Sequence, residues 1–126
     1  MLGCALHQPD NYEASIRLVR SLGRTHGFEV CAFWQPAIIF GNKPLVSYER
    51  QLLGLSYSNA YPLQQLIPVY REAERRAHTD GEFAFLGDTF DQVENPLYLD
   101  WVHLNPAGNH LAARAVAKQL DKCRKE

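Results

Sequence analysis

The chain has 126 residues, 46% of them hydrophobic and 21% charged, so its length fits one domain and its composition excludes overall disorder. Its 13 Lys and Arg against 14 Asp and Glu give a net charge of −1, with no block of like charges that would favour nucleic acid or a membrane surface as a partner. The apolar runs are far shorter than the roughly 20 residues that cross a bilayer, so no membrane-spanning segment is predicted.

The sequence has three widely spaced cysteines and no C-x-x-C pair: Cys4, Cys31 and Cys123. An odd number at these spacings is typical of neither a disulfide framework nor a zinc ribbon. We therefore expect neither from the cysteine pattern.

The first predicted helix has an apolar stripe with helical spacing. Asn11 is suited to cap its N-terminus, and Gly27 is a natural stop. The stripe consists of Tyr12, Ile16, Leu18, Val19 and Leu22, with Arg17, Arg20 and Arg24 opposite.

A buried strand and a second helix follow. Residues 28–34 are an apolar run rich in β-forming side chains, and a Gln-Pro pair closes it. After a loop that contains Gly and Pro, a short helical stretch is predicted from Ser47 to about Leu55.

Residues 62–77 again show apolar side chains at helical spacing, which predicts a third helix. Pro68 lacks a backbone donor, so the helix either kinks there or begins there. Residues 79–81, Thr-Asp-Gly, end it. Beyond them the sequence predicts a second strand at 82–86, a turn of helix at 88–93 and a third extended segment at 97–99.

The last helix has the clearest start signal in the chain. Asn105 and Pro106 suit the N-cap and first helical positions. Its apolar stripe consists of Leu111, Ala112, Ala115, Val116 and Leu120. Helices that alternate with short apolar strands predict an α/β fold with a parallel sheet.

The segment between the third extended piece and this helix contains the candidate site. Asp100 lies three residues before His103, so its carboxylate can bind the imidazole Nδ1–H and leave Nε2 to take a proton from a nucleophile. The alternative is a helix-entry loop in which both side chains only satisfy local backbone groups.

The string Asp-Trp-Val-His-Leu-Asn-Pro-Ala-Gly-Asn at residues 100–109, followed by an Ala-rich helix, resembles the last conserved block of the SGNH/GDSL hydrolase family. Three upstream segments resemble the regions that precede this block in the family: residues 26–36, 40–50 and 87–91.

This resemblance implies a three-layer, flavodoxin-like α/β fold. Residues 1–126 would form one partial domain, the C-terminal half, without the first three strands. It also implies Asp100 as the orienting acid and His103 as the general base and acid of a catalytic triad. No cofactor is implied, and the substrate would be a small-molecule, lipid or carbohydrate ester.

The family's Gly-Asp-Ser nucleophile block does not occur in this sequence, nor do its Gly and Gly-x-Asn-Asp oxyanion-hole blocks. The serines present are more simply helix, cap or loop hydroxyls: Ser15, Ser21, Ser47, and Ser56 and Ser58 in a polar loop. We therefore expect the isolated chain to be inactive and to associate with a missing half or with itself. The rival interpretation is a non-catalytic module derived from this family, or an inactive truncated product.

Other candidate residues have simpler interpretations. His103 and His110 lack the further ligands that a metal site needs. Gln35, Asn109 and His110 are candidates for substrate contact, although hydrogen bonds within loops or to solvent explain them as well. Trp34 and Trp101 are expected in the core or at the site wall. A solvated helix face is expected for Arg71, Arg75 and Arg76.

Overall fold

The computed structural model describes residues 8–58 and 63–123. The elements are, in chain order, helix α1 (Gln8–His26), strand β1 (Phe33–Trp34), helix α2 (Ser47–Ser58), a 3-10 turn (Leu63–Gln65), helix α3 (Leu66–Thr79), strand β2 (Ala84–Phe85) and helix α4 (Pro106–Cys123). The two strands pair in parallel, with Phe33 opposite Ala84 and Trp34 opposite Phe85. This mixture of helices and a small parallel sheet confirms the general α/β class.

Helix α1 ends where predicted but begins earlier than predicted. Gly27 adopts a φ of 76°, which favours glycine, and its amide donates to the Gly23 carbonyl at 2.7 Å. Asn11 is not the N-cap, because the helix already includes Gln8. The apolar stripe predicted the buried face of this helix only in part, because Ile16 is buried whereas Leu22 is 48% exposed.

Helix α3 resolves the alternatives at Pro68. The helix begins at Leu66, so the proline lies in its first turn. Amides in the first turn have no carbonyl acceptor within the helix, so the missing N–H of a proline costs no hydrogen bond there. The end of the helix is as predicted, because the Asp80 amide closes it on the Arg76 carbonyl at 2.7 Å and Gly81 follows with a φ of 65°.

Four other predicted segments differ from the structure. Both strands are shorter than their apolar runs, and α2 continues through Ser56 to Ser58, so no polar loop begins at Ser56. Residues 88–93 are not helical but form successive turns, in which amides bond to carbonyls three residues back, such as Val93 to Phe90 at 2.9 Å. A segment this short is too brief for apolar periodicity to separate turns from a helix.

Two apolar cores organise the described part of the chain. The first covers one face of the sheet with α1 and α3, and its buried members are Ile16, Ala73 and Phe83, with Tyr12, Ala32, Trp34, Ala77 and Phe85 against them. The second core is built by residues from the long connections: Ile38, Phe90, Leu97 and Tyr98, packed against side chains of α2 and the start of α4. The candidate loop follows directly from this second core.

The arginines of α3 do not share one solvated face. Arg76 lies only 15% exposed and contacts Asp10 at 2.6 Å, Glu13 at 2.9 Å and Glu72 at 2.7 Å. It therefore joins α1 to α3. Arg75 pairs with Glu72 and is mostly exposed, as predicted.

A row of apolar side chains on and after α1 remains at the surface: Leu18, Val19, Leu22 and Phe28 are 64%, 41%, 48% and 48% exposed. Among the described residues, no helix is long and apolar enough to cross a membrane.

A disulfide joins Cys31, just before β1, to Cys123 at the end of α4. The cysteine pattern did not predict a disulfide, and that part of the expectation was wrong. The two residues are 92 positions apart and their Cα atoms lie 5.9 Å apart, so only the folded chain shows that they pair.

We predict that this cross-link contributes about 4 to 5 kcal/mol to the free energy of unfolding, because it closes a loop of roughly 90 residues in the unfolded chain. Urea titration of the double variant Cys31→Ser/Cys123→Ser should show that loss. Reducing agent should destabilise the wild type to the same level and leave the variant unchanged. Equal stability of the wild type with and without reducing agent would contradict the pairing.

Candidate active site

The predicted site lies at the tip of a tight hairpin between the second core and α4. Leu99 donates its amide to the His103 carbonyl at 2.8 Å, and Asn105 donates to the Leu97 carbonyl at 2.8 Å. Between these bonds, Tyr98 and Leu104 form an antiparallel bridge. The three residues at the tip, 100–102, therefore have both of their flanks fixed.

The Asp100 carboxylate shapes this tip. Its Oδ1 atom accepts the amides of Val102 at 2.9 Å and His103 at 2.7 Å, which is the local turn that an Asp side chain favours. Its Oδ2 atom lies 2.7 Å from His103 Nδ1. One side chain thus folds the turn and binds the imidazole, as the spacing of the two residues predicted.

The same contacts determine the charge of the carboxyl group. Burial acts to raise the pKa of Asp100, but the amides of His103 and Val102 and the His103 imidazole outweigh it, so the pKa lies below its usual 3.8. An ionised carboxylate only accepts hydrogen bonds, so the imidazole proton is assigned to Nδ1. Nε2 has no hydrogen-bond partner within residues 8–58 and 63–123, and the His103 side chain is 75% exposed.

Asn105 joins the hairpin to the helix that follows. Its side-chain oxygen caps α4 by accepting the Gly108 amide at 2.8 Å, and its side-chain nitrogen donates to the Pro96 carbonyl at 2.7 Å. Gly108 is required there because a Cβ atom at this position would lie 2.9 Å from the Leu97 carbonyl oxygen. The predicted Asn-Pro start of α4 is therefore confirmed.

The tip is also tied to the carboxyl end of β1. Ile38, four residues beyond the strand, donates its amide to the Trp101 carbonyl at 2.9 Å. Loops beyond the carboxyl ends of parallel strands are the usual ligand-binding edge of α/β proteins. Trp34 packs in the first core beside Tyr12 and Tyr70, whereas Trp101 is 36% exposed next to the dyad.

Among the side chains that the structure describes, the other candidates form no hydrogen bond with Asp100 or His103. Gln35 and His110 are exposed, and Asn109 donates to the Leu104 carbonyl at 3.3 Å. Ser15 donates to the Asn11 carbonyl within α1, and Ser47 accepts from Arg50. Ser21 is exposed on α1, and the side chains of Ser56 and Ser58 lie outside the described part of the chain.

A metal cluster or a cleft is the other feature that could mark a reaction centre. Within the described ranges, no three His, Cys, Asp or Glu side chains converge as a metal site would require. An open cleft of about 400 Å³ beside β2 is lined by residues that include Cys31, Glu82 and Gln119, but neither residue of the dyad. Its Arg20 and Glu82 are paired with each other. The chemistry of the dyad, rather than this cleft, therefore identifies the candidate site.

One residue that supports the site has no distinctive sequence signal. Glu49, predicted only as part of a helix start, is completely buried and accepts the Leu97 amide at 2.8 Å and the Tyr98 amide at 3.2 Å. Burial acts to raise its pKa, but the Leu97 amide, the Lys43 ammonium and further amides hold the pKa below its usual 4.5.

Comparison of the chain with models of protein families, with curated proteins and with solved structures finds no match.

We predict that acid destabilises the fold. The pKa values of Glu49 and Asp100 are lowered, and that of Glu72 is lowered to about 2 by hydrogen bonds from Arg75 and Arg76. The unfolded chain therefore binds these protons at a higher pH than the folded chain, and stability falls as the pH drops from about 5 to 2. Urea titrations across that range measure the loss, and Glu72→Gln should reduce it at the acid end. A free energy of unfolding that stays constant below pH 5 would contradict these ionised pairs.

Proposed function

We propose that this chain supplies the acid–base pair of an SGNH/GDSL-type serine ester hydrolase. The observation that carries the proposal is the 2.7 Å contact between Asp100 Oδ2 and His103 Nδ1, with Nε2 left open to solvent. This is the arrangement by which a carboxylate orients a histidine for proton transfer. The finer fold belongs to the same proposal: a three-layer, flavodoxin-like domain of which the chain forms the C-terminal half.

The reaction requires a serine nucleophile that the complementing part of the domain supplies. His103 Nε2 removes the serine hydroxyl proton as the oxygen attacks the ester carbonyl carbon. The tetrahedral intermediate then collapses, the alkoxy group leaves with the proton from the imidazolium, and an acyl-serine remains. Water repeats the sequence: its proton passes to Nε2, its oxygen attacks the acyl carbon, and the proton returns to serine as the acid is released. Asp100 stabilises the imidazolium in both halves.

The exposed position of the dyad shows how little of a substrate pocket this chain contributes. With His103 75% exposed on a hairpin tip, the chain itself encloses no acyl pocket around Nε2 within its described residues. The remaining walls, the nucleophile and the oxyanion donors belong to the complementing part, and the proposed substrate is the ester of a small molecule, a lipid or a carbohydrate. The Cys31–Cys123 disulfide favours an oxidising compartment.

A second candidate function is a binding module without catalysis. The exposed apolar row of Leu18, Val19, Leu22 and Phe28 is the observation that favours it, because such a surface promotes association with another half-domain or with a second copy. The two candidates differ in whether a serine is delivered to His103 Nε2.

The experiment begins with the DNA directly upstream of Met1, in which we expect a Gly-Asp-Ser segment. The longer protein should hydrolyse p-nitrophenyl acetate and be labelled at one serine by a fluorophosphonate, whereas the 126-residue chain should remain unlabelled. In the longer protein, His103→Ala should lower kcat at least about 1,000-fold and Asp100→Asn by less, because the base is needed outright and the acid assists it.

His110→Ala is the matched control, since His110 is an exposed histidine seven positions away on α4 and has no carboxylate partner among the described residues. It should leave kcat unchanged. An upstream reading frame without a serine block, or a loss in His110→Ala equal to that in His103→Ala, would reject the hydrolase and favour the binding module.

A further inference from the structure

A buried charge supports the hairpin from the side opposite its tip. The Glu49 carboxylate, in the first turn of α2, is completely buried, and its Oε1 atom accepts two amides from residues just before Asp100. These are Leu97 at 2.8 Å and Tyr98 at 3.2 Å. Consecutive amides that share one oxygen fix the path of the backbone more closely than apolar packing alone, since hydrogen bonds depend on direction.

The other carboxylate oxygen is also fully occupied. Glu49 Oε2 lies 2.7 Å from the Lys43 ammonium, whose side chain is only 5% exposed, and accepts the Val46 amide at 3.3 Å. Buried ion pairs are poor sources of net stability, because desolvation offsets much of the attraction between the charges. Their best-supported use is to select one arrangement of the chain over others.

The arrangement selected here leads directly to the dyad. Leu97, held by Glu49, accepts the Asn105 amide through its carbonyl, and Leu99 donates to the His103 carbonyl. Residues 97–99 thus fix the position of residues 103–105 through these backbone hydrogen bonds. Tyr48, the neighbour of Glu49, adds a hydrogen bond from its hydroxyl to the Leu99 carbonyl at 3.2 Å.

We propose that Glu49 is a positioning residue for Asp100 and His103, acting through residues 97–99, with Lys43 as its counter-ion. For its meaning in catalysis this inference rests on the proposed hydrolase function, but the contact between the two dyad side chains can be measured without any hydrolysis.

Glu49→Gln is the direct test. The amide keeps one acceptor oxygen for Leu97 and Tyr98, but its NH₂ group then faces the Lys43 ammonium and the Val46 amide, so donors oppose donors. The double variant Glu49→Gln/Lys43→Met removes the ammonium donor and should restore part of the wild-type arrangement.

Glu13→Gln is the matched control. Glu13 is also a buried glutamate, 8% exposed and paired with Arg76, but it lies in the first core between α1 and α3. A variant there weakens the fold without touching the hairpin. It separates loss of stability from loss of positioning.

The readout is the Asp100 carboxyl pKa in the 126-residue chain, followed by ¹³C NMR. We expect Glu49→Gln to raise it toward the ordinary 3.8, because the His103 and Val102 amides no longer converge on the carboxylate. Glu13→Gln should leave it at the wild-type value, and the double variant should lie between. An Asp100 pKa unchanged in Glu49→Gln, or raised equally in Glu13→Gln, would overturn the positioning role.

Hydrogen exchange in the wild type supplies a test that needs no variant. If Glu49 positions the hairpin, the amides of Leu97, Tyr98, Val102 and His103 open together as denaturant is added, with one common protection. Independent opening of Val102 and His103 while Leu97 and Tyr98 stay protected would contradict the proposal.

Failure of the proposed hydrolase function can be distinguished from failure of the positioning role. If the longer protein hydrolyses no ester while Glu49→Gln still disrupts the dyad, the hydrolase function is wrong and the positioning role stands. If the longer protein is active, Glu49→Gln should lower kcat about 10- to 100-fold with little change in KM, as expected when a base is misplaced by a fraction of an ångström to an ångström.

Discussion

The Asp100 carboxylate is the group on which the candidate site depends. One oxygen accepts the two amides that make the hairpin turn, and the other accepts the imidazole Nδ1 of His103. The same side chain therefore stabilises the turn and orients the histidine. A carboxylate bound to backbone amides remains ionised to lower pH, which is also the state that stabilises a protonated imidazole.

The two cores divide the support of this turn. The first core packs α1 and α3 against one face of the small sheet. The ion pairs of Arg76 also join these two helices. The second core contains few residues from regular elements and instead holds together the long connections around residues 38–45 and 88–99. Connections of this kind would be mobile without internal contacts, so the hydrogen bonds of Glu49, Ile38 and Asn105 give the hairpin the rigidity that strands supply elsewhere.

Signals that act over a few residues allowed correct prediction. Asn105 and Pro106 start α4, Gly27 and Gly81 follow helix ends, and Asp100 reaches His103 across a three-residue spacing. The general α/β class was likewise predicted, since alternation of helices and apolar runs is visible along the chain. The flavodoxin-like arrangement, the domain's partial nature and the catalytic roles remain predictions.

Features set by distant parts of the chain could not be predicted. The Cys31–Cys123 disulfide joins residues 92 positions apart, and Glu49 meets Leu97 across 48 positions. In neither pair does the local sequence of one residue indicate its partner. Arg76 differs from Arg75 for the same reason, because only the packing of α1 on α3 brings Asp10 and Glu13 to it. Short apolar segments such as 88–93 are ambiguous between turn and helix until their hydrogen bonds are known.

The protonation pattern of the His103 ring tests the central claim most directly. Long-range ¹H–¹⁵N NMR of the neutral imidazole distinguishes a protonated Nδ1 from a protonated Nε2. A dyad prepared for proton transfer predicts the proton on Nδ1, in a hydrogen bond to Asp100 that Asp100→Asn abolishes, with Nε2 as the free acceptor. A neutral ring protonated on Nε2, and unchanged in Asp100→Asn, would show that the two side chains do not form an acid–base pair.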